Sequence, residues 1–275
     1  MEYKLPNLPE RIENSNKGTY GKILNVSGSE YMTGAAILSS ISALKVGAGY
    51  VELASHPNTL KAASYIAPEI VLAPVEKISQ LIPQSTILTI GCGLSQSDEA
   101  VDIFINTIKL AKKHNIKTVI DADGLNILSK NHIDIPKESI LTPHPKEASR
   151  LLDTSLENVL SNMELAAKEI TDKYNCITVL KSHRTIVTNQ NHTIYKNTSG
   201  NSALAKAGSG DVLAGMISGL LAQNMDTFDA ACLGVYLHGL SGDIAKNDLT
   251  AYGVLASDTI RYIPLAIKEY INQRS

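Results

Sequence analysis

The chain has 275 residues, with 25 Lys and Arg against 27 Asp and Glu for a formal net charge of -2; no long run of one sign supplies the basic footprint that nucleic-acid binding requires. Trp is absent and aromatics make up only 5%, so a platform for stacked bases is poorly provided as well. The length suits a single α/β domain, residues 1–275, that buries a core without disulfides or structural metal; Cys92, Cys176 and Cys232 lack CxxC spacing and read as buried thiols in a reducing cytoplasm.

From the N-terminus, MEYKLPNLPERIEN carries charges and prolines where a signal peptide needs an apolar stretch, and the segment before Lys17 reads as a flexible or edge segment. Short β-branched runs then alternate with longer segments of helical period, the pattern of βα units closing a largely parallel sheet. Strands are predicted at 23–26, 50–54, 70–73, 86–90, 118–120, 139–141 and 177–180, most of them apolar on both faces, as strands covered by helices on both sides must be. Helices are predicted at 34–45, 99–114, 146–152 and 157–174 from apolar residues every three or four positions. Segments 184–188 and 192–196 flank Asn189, Gln190 and Asn191 and read as a β-hairpin. From Ser209 onward the chain is helical in pattern, a closing layer, and no stretch approaches the ~20 uninterrupted apolar residues of a membrane helix.

The segment richest in chemistry is NTSGNSALAKAGSGDVLAG from Asn197, where small residues lead into an apolar helix. Gly208 and Gly210 let backbone approach an anion, and the helix start directs unpaired amides at it. Asp211 falls in the first turn, as an N-terminal cap or as a general base toward a hydroxyl beside a phosphate. The plainer alternative is a tight turn with a cap. Gly91, Cys92 and Gly93 follow a strand, where open α/β sheets bind ligands. Asp121, Asp123 and Asn126 follow another, either holding magnesium or a water bound to it, or capping the next turn. His144, between Pro143 and Pro145 at a strand end, is a hydrogen-bonding candidate, whereas a lone His is more often structural. Lys181 to Thr185 offers two permanent cations or an ordinary solvated turn. His238 and Asp243, five apart on an apolar helix, read as packing and hydrogen-bonding residues, and no histidines share a metal-ligand spacing.

AGSGDVLAG resembles the anion-hole and catalytic-Asp motif of the ribokinase-like superfamily. YMTGAAILSSISALKVGAGYV, IGCGLS, DADGLN, LTPHPKEASRLL and GVYLHGLSGDIA resemble, in order, the NAD(P)HX dehydratase branch of it, over nearly the whole chain. The resemblance implies a three-layer sandwich around a mostly parallel sheet, and a stand-alone dehydratase domain without the epimerase domain to which relatives are fused. It implies that ADP, or ATP, phosphorylates the hydroxyl of hydrated NADH or NADPH, and that phosphate is then eliminated. The implied catalytic base is Asp211. Ala35, Ala36, Gly93, His144 and Asp211 are the implied substrate contacts. Nucleotide contacts are implied for Lys181, Ser182, His183, Arg184 and Thr185 and for Ala207, Gly208, Ser209 and Gly210. Magnesium is expected, with Asp121 and Asp123 as candidate ligands, and a homotetramer or dimer is implied. The alternatives are a small-molecule kinase of the same superfamily and a non-catalytic nucleotide-binding regulator. Three departures from the family pattern stand out: Cys92 replaces a common Pro, Ser182 replaces a Gly and so raises the cost of a positive φ, and Lys206 lies in Ala203 to Lys206, where it adds charge beside the phosphates.

Overall fold

In the computed structural model, which describes residues 3–274 (Met1, Glu2 and Ser275 lie outside the described residues), the β-branched runs pair edge to edge in one nine-stranded sheet. The strands are β1 (Lys22–Val26), β2 (Tyr50–Ser55), β3 (Val71–Pro74), β4 (Ile87–Ile90), β5 (Lys117–Ile120), β6 (Ile140–Leu141), β7 (Ile177–Leu180), β8 (Ile186–Thr188) and β9 (Ile194–Lys196). Their order is β3-β2-β1-β4-β5-β6-β7-β8-β9. The first seven pair in parallel, while β8 and β9 run antiparallel as the hairpin. This is the mostly parallel, helix-flanked α/β architecture expected.

The helices are α1 (Thr33–Val46), α2 (Pro57–Ile66), α3 (Ile78–Leu81), α4 (Asp98–Lys113), α5 (Asp123–Asn131), α6 (Pro145–Leu152), α7 (Leu156–Ser161), α8 (Met163–Tyr174), α9 (Ser209–Ala222), α10 (Thr227–Gly253) and α11 (Ala256–Asn272). Successive strand residues point to opposite faces, and here both faces are apolar because both are covered. Ile23, Ile87 and Val119 join a core with α1, α9, α10 and α11, while their neighbours Leu24, Leu88 and Ile120 join another with α4, α5, α6 and α8. Nearly every residue of α9 is buried. Its glycines set how closely it lies on α1: a Cβ on Gly215 would stand 2.1 Å from the Ser39 carbonyl oxygen, and one on Gly219 2.5 Å from that of Ala43.

The expected elements are present, with three differences. The predicted helix 157–174 is broken at Asn162, whose side chain accepts from the Leu165 amide at 3.1 Å and so caps a new helix. Helices α2, α3 and α5 were not anticipated: α2 and α5 start directly at strand ends, and α3 is a single turn. The segment before Lys17 is neither an edge strand nor free. The Tyr3 ring meets Phe228 and Tyr195 edge-on at 5.0 and 5.8 Å, and the Pro6 carbonyl accepts from Tyr270 Oη at 2.6 Å. Among the described residues no helix is long and apolar enough to cross a membrane.

The chain order reverses between β1 and β4, a topological switch point outside whose carboxyl ends open sheets gather ligands. There the Gly28 amide donates to the Cys92 carbonyl at 2.8 Å, tying together the loops that leave β1 and β4.

Candidate active site

Helix α9 begins at the switch point because of one backbone conformation. Gly208, its N-cap, holds φ at 91°, a value an L side chain adopts only under strain, and a Cβ there would stand 2.7 Å from Leu38 and 2.9 Å from Ala256. The chain thus turns tightly into the helix, where the first amides lack intrahelical partners; the Ser209 amide donates to the Lys206 carbonyl at 3.3 Å. Asp211 sits in that first turn. Burial, with the Asp121 charge added, pushes its carboxyl up to about 6, against opposing pulls from the Cys92 thiol and Lys181.

Two cavities meet on this helix start. The larger, about 760 Å³, is lined by Lys181, Ser182, His183 and Thr185 on one side and by Ala207, Ser209 and Gly210 on the other. A second, of about 520 Å³, is lined by Ala35, Gly93, Ala122, Asp123 and Glu147 together with Ala207, Gly208 and Asp211. Each is of the size that holds a small ligand. Ala207 belongs to both, and Asp211 faces the second from the wall they share.

Below this junction is an ion network assembled from three strand ends. Lys181, after β7, places Nζ 2.7 Å from Oδ1 of Asp121, after β5, and 3.9 Å from Oε2 of Glu147, which follows β6 on α6. Burial alone would lower the Lys181 pKa, but the two carboxylates outweigh it and hold the ammonium above its ordinary value. Burial raises Glu147. A hypothetical Cβ on Gly210 would stand 3.3 Å from Lys181 Nζ, so this cation lies directly beneath the α9 amides.

The residues singled out from the sequence fall into place unevenly. Ala35 and Gly93 line the second cavity; Gly93, with φ 62°, brings its loop so near α1 that a Cβ would lie 2.8 Å from that of Ala35. Ala36 is on another face of α1, fully buried in the core beside Leu53 and Ala63, and does not border the cavity. His144 lines the first cavity rather than the second. Its Nδ1 accepts from the Lys146 and Glu147 amides, and Glu147 returns a carboxylate to the His144 amide at 2.8 Å, a capping box starting α6. Burial and Lys181 lower the His144 pKa, favouring the neutral ring.

Ser182 holds no positive φ, so the loss of the family glycine carries no backbone penalty. Arg184 is turned away, with Nη1 donating to the Thr198 carbonyl at 2.8 Å, and it is absent from the cavity lining. Lys206 lines the cavity, yet its Nζ donates to the Tyr252 carbonyl at 2.6 Å and is held toward the α10–α11 connection. Cys92 is fully buried, its thiol pKa raised by burial and by the Asp211 charge.

The pairing of Asp121 with Asp123 gives way to a different grouping. Asp123 accepts from the Ser95 amide at 2.9 Å and from Gln96 Nε2 at 3.2 Å, so it secures the loop after β4. Asp121 instead converges with Asp211 and Cys92, with donor atoms within 4.8 Å of one another. A magnesium cage asks for oxygen donors in octahedral array. This trio offers a thiol, and the Lys181 ammonium already stands on Asp121. The side chains therefore do not fit a resident magnesium ion.

Two residues with a place at the site were not found by sequence reasoning. Glu147 borders the second cavity, and the signal was its position three residues after a helix cap. His238, read as a packing and hydrogen-bonding residue of the helical layer, lines the first cavity; a lone polar ring within an otherwise apolar helix was the available clue. Its neighbour in that reading, Asp243, accepts from the Gly200 amide at 2.8 Å and from Asn201 Nδ2 at 2.7 Å, holding the wall of the same cavity.

Comparison with known proteins gives a consistent result. A family model described as NAD(P)H-hydrate dehydratase matches residues 23–265. The ADP-dependent (S)-NAD(P)H-hydrate dehydratase of Neisseria meningitidis serogroup B is 39% identical over 256 residues, covering 90% of this chain and 85% of that protein. The bifunctional NAD(P)H-hydrate repair enzyme of Coxiella burnetii is 33% identical over 272 residues, and this chain, 97% covered, spans 55% of its length. Among solved structures, the ADP/ATP-dependent NAD(P)H-hydrate dehydratase of Bacillus subtilis, co-crystallized with ATP and Mg2+, matches with a TM-score of 0.88 and 29% identity over 96% of this chain and 95% of the other.

Proposed function

Because this chain belongs to the NAD(P)H-hydrate dehydratase family, we propose that it is a nicotinamide-nucleotide repair enzyme that restores NADH and NADPH from their (S)-hydrates, with ADP or ATP as phosphoryl donor. The observation that carries this reading is the meeting of two ligand-sized cavities at the start of α9, with the half-buried Asp211 carboxylate at their junction. The nucleotide occupies the cavity bordered by Lys181, Ser182, His183 and Thr185, with its terminal phosphate against the backbone of Ala207 to Gly210. The hydrated nicotinamide occupies the other, between Ala35, Gly93 and Asp211. Residues 1–275 act as one dehydratase domain.

Hydroxide is a poor leaving group, and phosphorylation turns it into a good one. Asp211 accepts the proton of the substrate hydroxyl as that oxygen attacks the terminal phosphorus. The bond from this phosphorus to the bridging oxygen breaks, leaving AMP when the donor is ADP. The α9 amides and Lys181 stabilise the charge spread over the transferring group. The ring nitrogen lone pair then expels phosphate from the adjoining carbon, and a proton leaves the next carbon, giving reduced nicotinamide and inorganic phosphate. A carboxyl raised to about 6 is ionised at neutral pH and still basic enough for the first step. Magnesium, where the reaction uses it, would be held by the nucleotide's phosphate oxygens, since the Asp121, Asp211 and Cys92 side chains do not form its cage.

The enzyme works in the cytoplasm, in keeping with three buried free cysteines. It works as a homotetramer or dimer, in keeping with the exposed apolar side chains of Tyr31, Met32, Tyr252 and Leu255. Neither nucleic acid nor membrane takes part. The test is to mix the protein with hydrated NADH and ADP, or ATP in parallel, and follow the absorbance of reduced nicotinamide together with phosphate release. Recovery of absorbance with equimolar phosphate is expected. A stable phosphoester without recovery would mark a small-molecule kinase instead.

A further inference from the structure

One polar atom of the larger cavity is left without a protein partner. His238, on α10, is 8% exposed and lines that cavity beside Ser209, Gly239 and Val235, and its Nε2 makes no hydrogen bond. Among the described residues Glu52 Oε2 is the other buried side-chain atom without a hydrogen bond, and it has the Lys22 ammonium 2.7 Å away. The His238 nitrogen is thus the buried polar side-chain atom that neither a hydrogen bond nor an ion pair accounts for. Buried polar groups in folded proteins are nearly always satisfied, so an orphan facing a ligand cavity points to a ligand.

The chemistry of that ligand group follows from the ring's state. Burial, then the nearby Lys181 charge, lowers the His238 pKa to about 4, and the ring hydrogen-bonds to the backbone of Ser209 in the sense that favours its protonation. A neutral imidazole carries one N–H and one lone pair; with the proton on Nδ1, the nitrogen other than the unpartnered Nε2, Nε2 presents the lone pair and takes a donor. Phosphate oxygens are acceptors and do not serve. A nucleoside does carry donors, on its ribose hydroxyls and on the exocyclic amino group of adenine.

We infer that His238 Nε2 accepts a hydrogen bond from the nucleoside part of the bound nucleotide, making His238 a nucleotide-recognition residue of this site. The inference rests on the assignment of the larger cavity to the nucleotide. It also gives the loop from Asn197 to Asn201 a role, since Ser199 and Gly200 pack against Gly239, next to His238, and close that side of the cavity.

The test is calorimetric titration of the intact protein with ADP, 2′-deoxy-ADP, 3′-deoxy-ADP and inosine diphosphate, repeated for His238→Leu and His238→Gln. One analogue should bind the unaltered protein roughly five- to tenfold more weakly than ADP, as loss of one hydrogen bond to a buried acceptor predicts, and which analogue does so separates ribose from base. His238→Leu should lose a similar factor for ADP and show no further loss with that analogue. His238→Gln, whose amide oxygen falls near the position of Nε2, should recover most of the affinity, with the change in KM for ADP and not in kcat. If all three analogues bind the unaltered protein as tightly as ADP, the inference is wrong, whether or not the Leu variant folds. Failure of the unaltered protein to bind ADP at all would instead remove the nucleotide from this cavity, and the inference with it.

Discussion

Lys181 Nζ and Asp121 Oδ1 stand 2.7 Å apart although 60 residues separate them in the chain. Their strand ends, β7 and β5, are brought to the same edge of the sheet with β6 between them, and Glu147 on α6 completes the cluster. Asp121 is 2% exposed, so the cation beneath the α9 amides is held by a carboxylate that has little water of its own.

Removing that cation should therefore cost stability as well as nucleotide binding. Lys181→Met leaves Asp121 and Glu147 buried without their counter-charge, a change expected to cost about 3 kcal/mol. Denaturant unfolding checks this, and the double variant Lys181→Met with Asp121→Asn should lose less than the sum of the two single losses. Strict additivity would mean that the pair does not act as a unit.

Activity should also follow the ionisation of Asp211. Its carboxyl, raised by burial to about 6, must be charged to accept a proton, so kcat/KM should be level from about pH 7 to 8 and fall roughly tenfold per pH unit below about 6. A profile that stays level down to pH 5 would point to a different base.

The same group sets a stability trade-off. A native pKa of about 6 against the ordinary 3.8 means that the native state binds this proton more tightly than the unfolded chain does. The stability gained is fully present below about 3.8, is lost as the pH rises through about 6, and leaves an ionised carboxylate costing roughly 3 kcal/mol above that, at ~1.4 kcal/mol per pH unit. Asp211→Asn should accordingly raise the melting temperature, by more at pH 8 than at pH 5. An equal gain at both pH values would show that charge is not the cause.

Gly208→Ala tests the backbone of the anion-binding turn. At φ 91°, with the Leu38 side-chain tip and Ala256 Cβ within 2.9 Å of the new Cβ, the substitution must shift either the turn or the start of α11. Nucleotide affinity should fall by an order of magnitude or more, roughly the factor that ~1–2 kcal/mol of strain gives, measured by titration with ADP. Unchanged affinity would separate this turn from phosphate binding.

Much of this arrangement was legible in the sequence, for physical reasons. Strands covered on both sides lose polar alternation, so Ile23, Leu24, Ile87 and Leu88 announce a buried parallel sheet; glycines followed by Asp211 at the start of an apolar segment announce an anion-binding helix end. What remained hidden depends on direction rather than position. Ala35 and Ala36 are neighbours in the chain, yet one borders a cavity and the other enters the core, because adjacent helical positions differ by about a quarter turn. Arg184 looked like a phosphate ligand, but its guanidinium is spent on the Thr198 carbonyl. His238 read as a packing and hydrogen-bonding residue and not as part of a cavity wall, because which ring nitrogen finds a protein partner is settled only when α10 meets α9. Asp123 was legible as a strand-end carboxylate, but its use in holding Ser95 and Gln96 depends on a loop 28 and 27 residues earlier in the chain.

The most direct test of the account is Asp211→Asn measured two ways, by turnover of hydrated NADH with ADP and by calorimetric binding of ADP. The account predicts a loss of kcat on the order of 10²- to 10⁴-fold, the range attributed to a positioned general base, with ADP affinity changed by no more than a few-fold. A variant that turns over at a near-normal rate, or one that loses activity only because it no longer binds ADP, would contradict it.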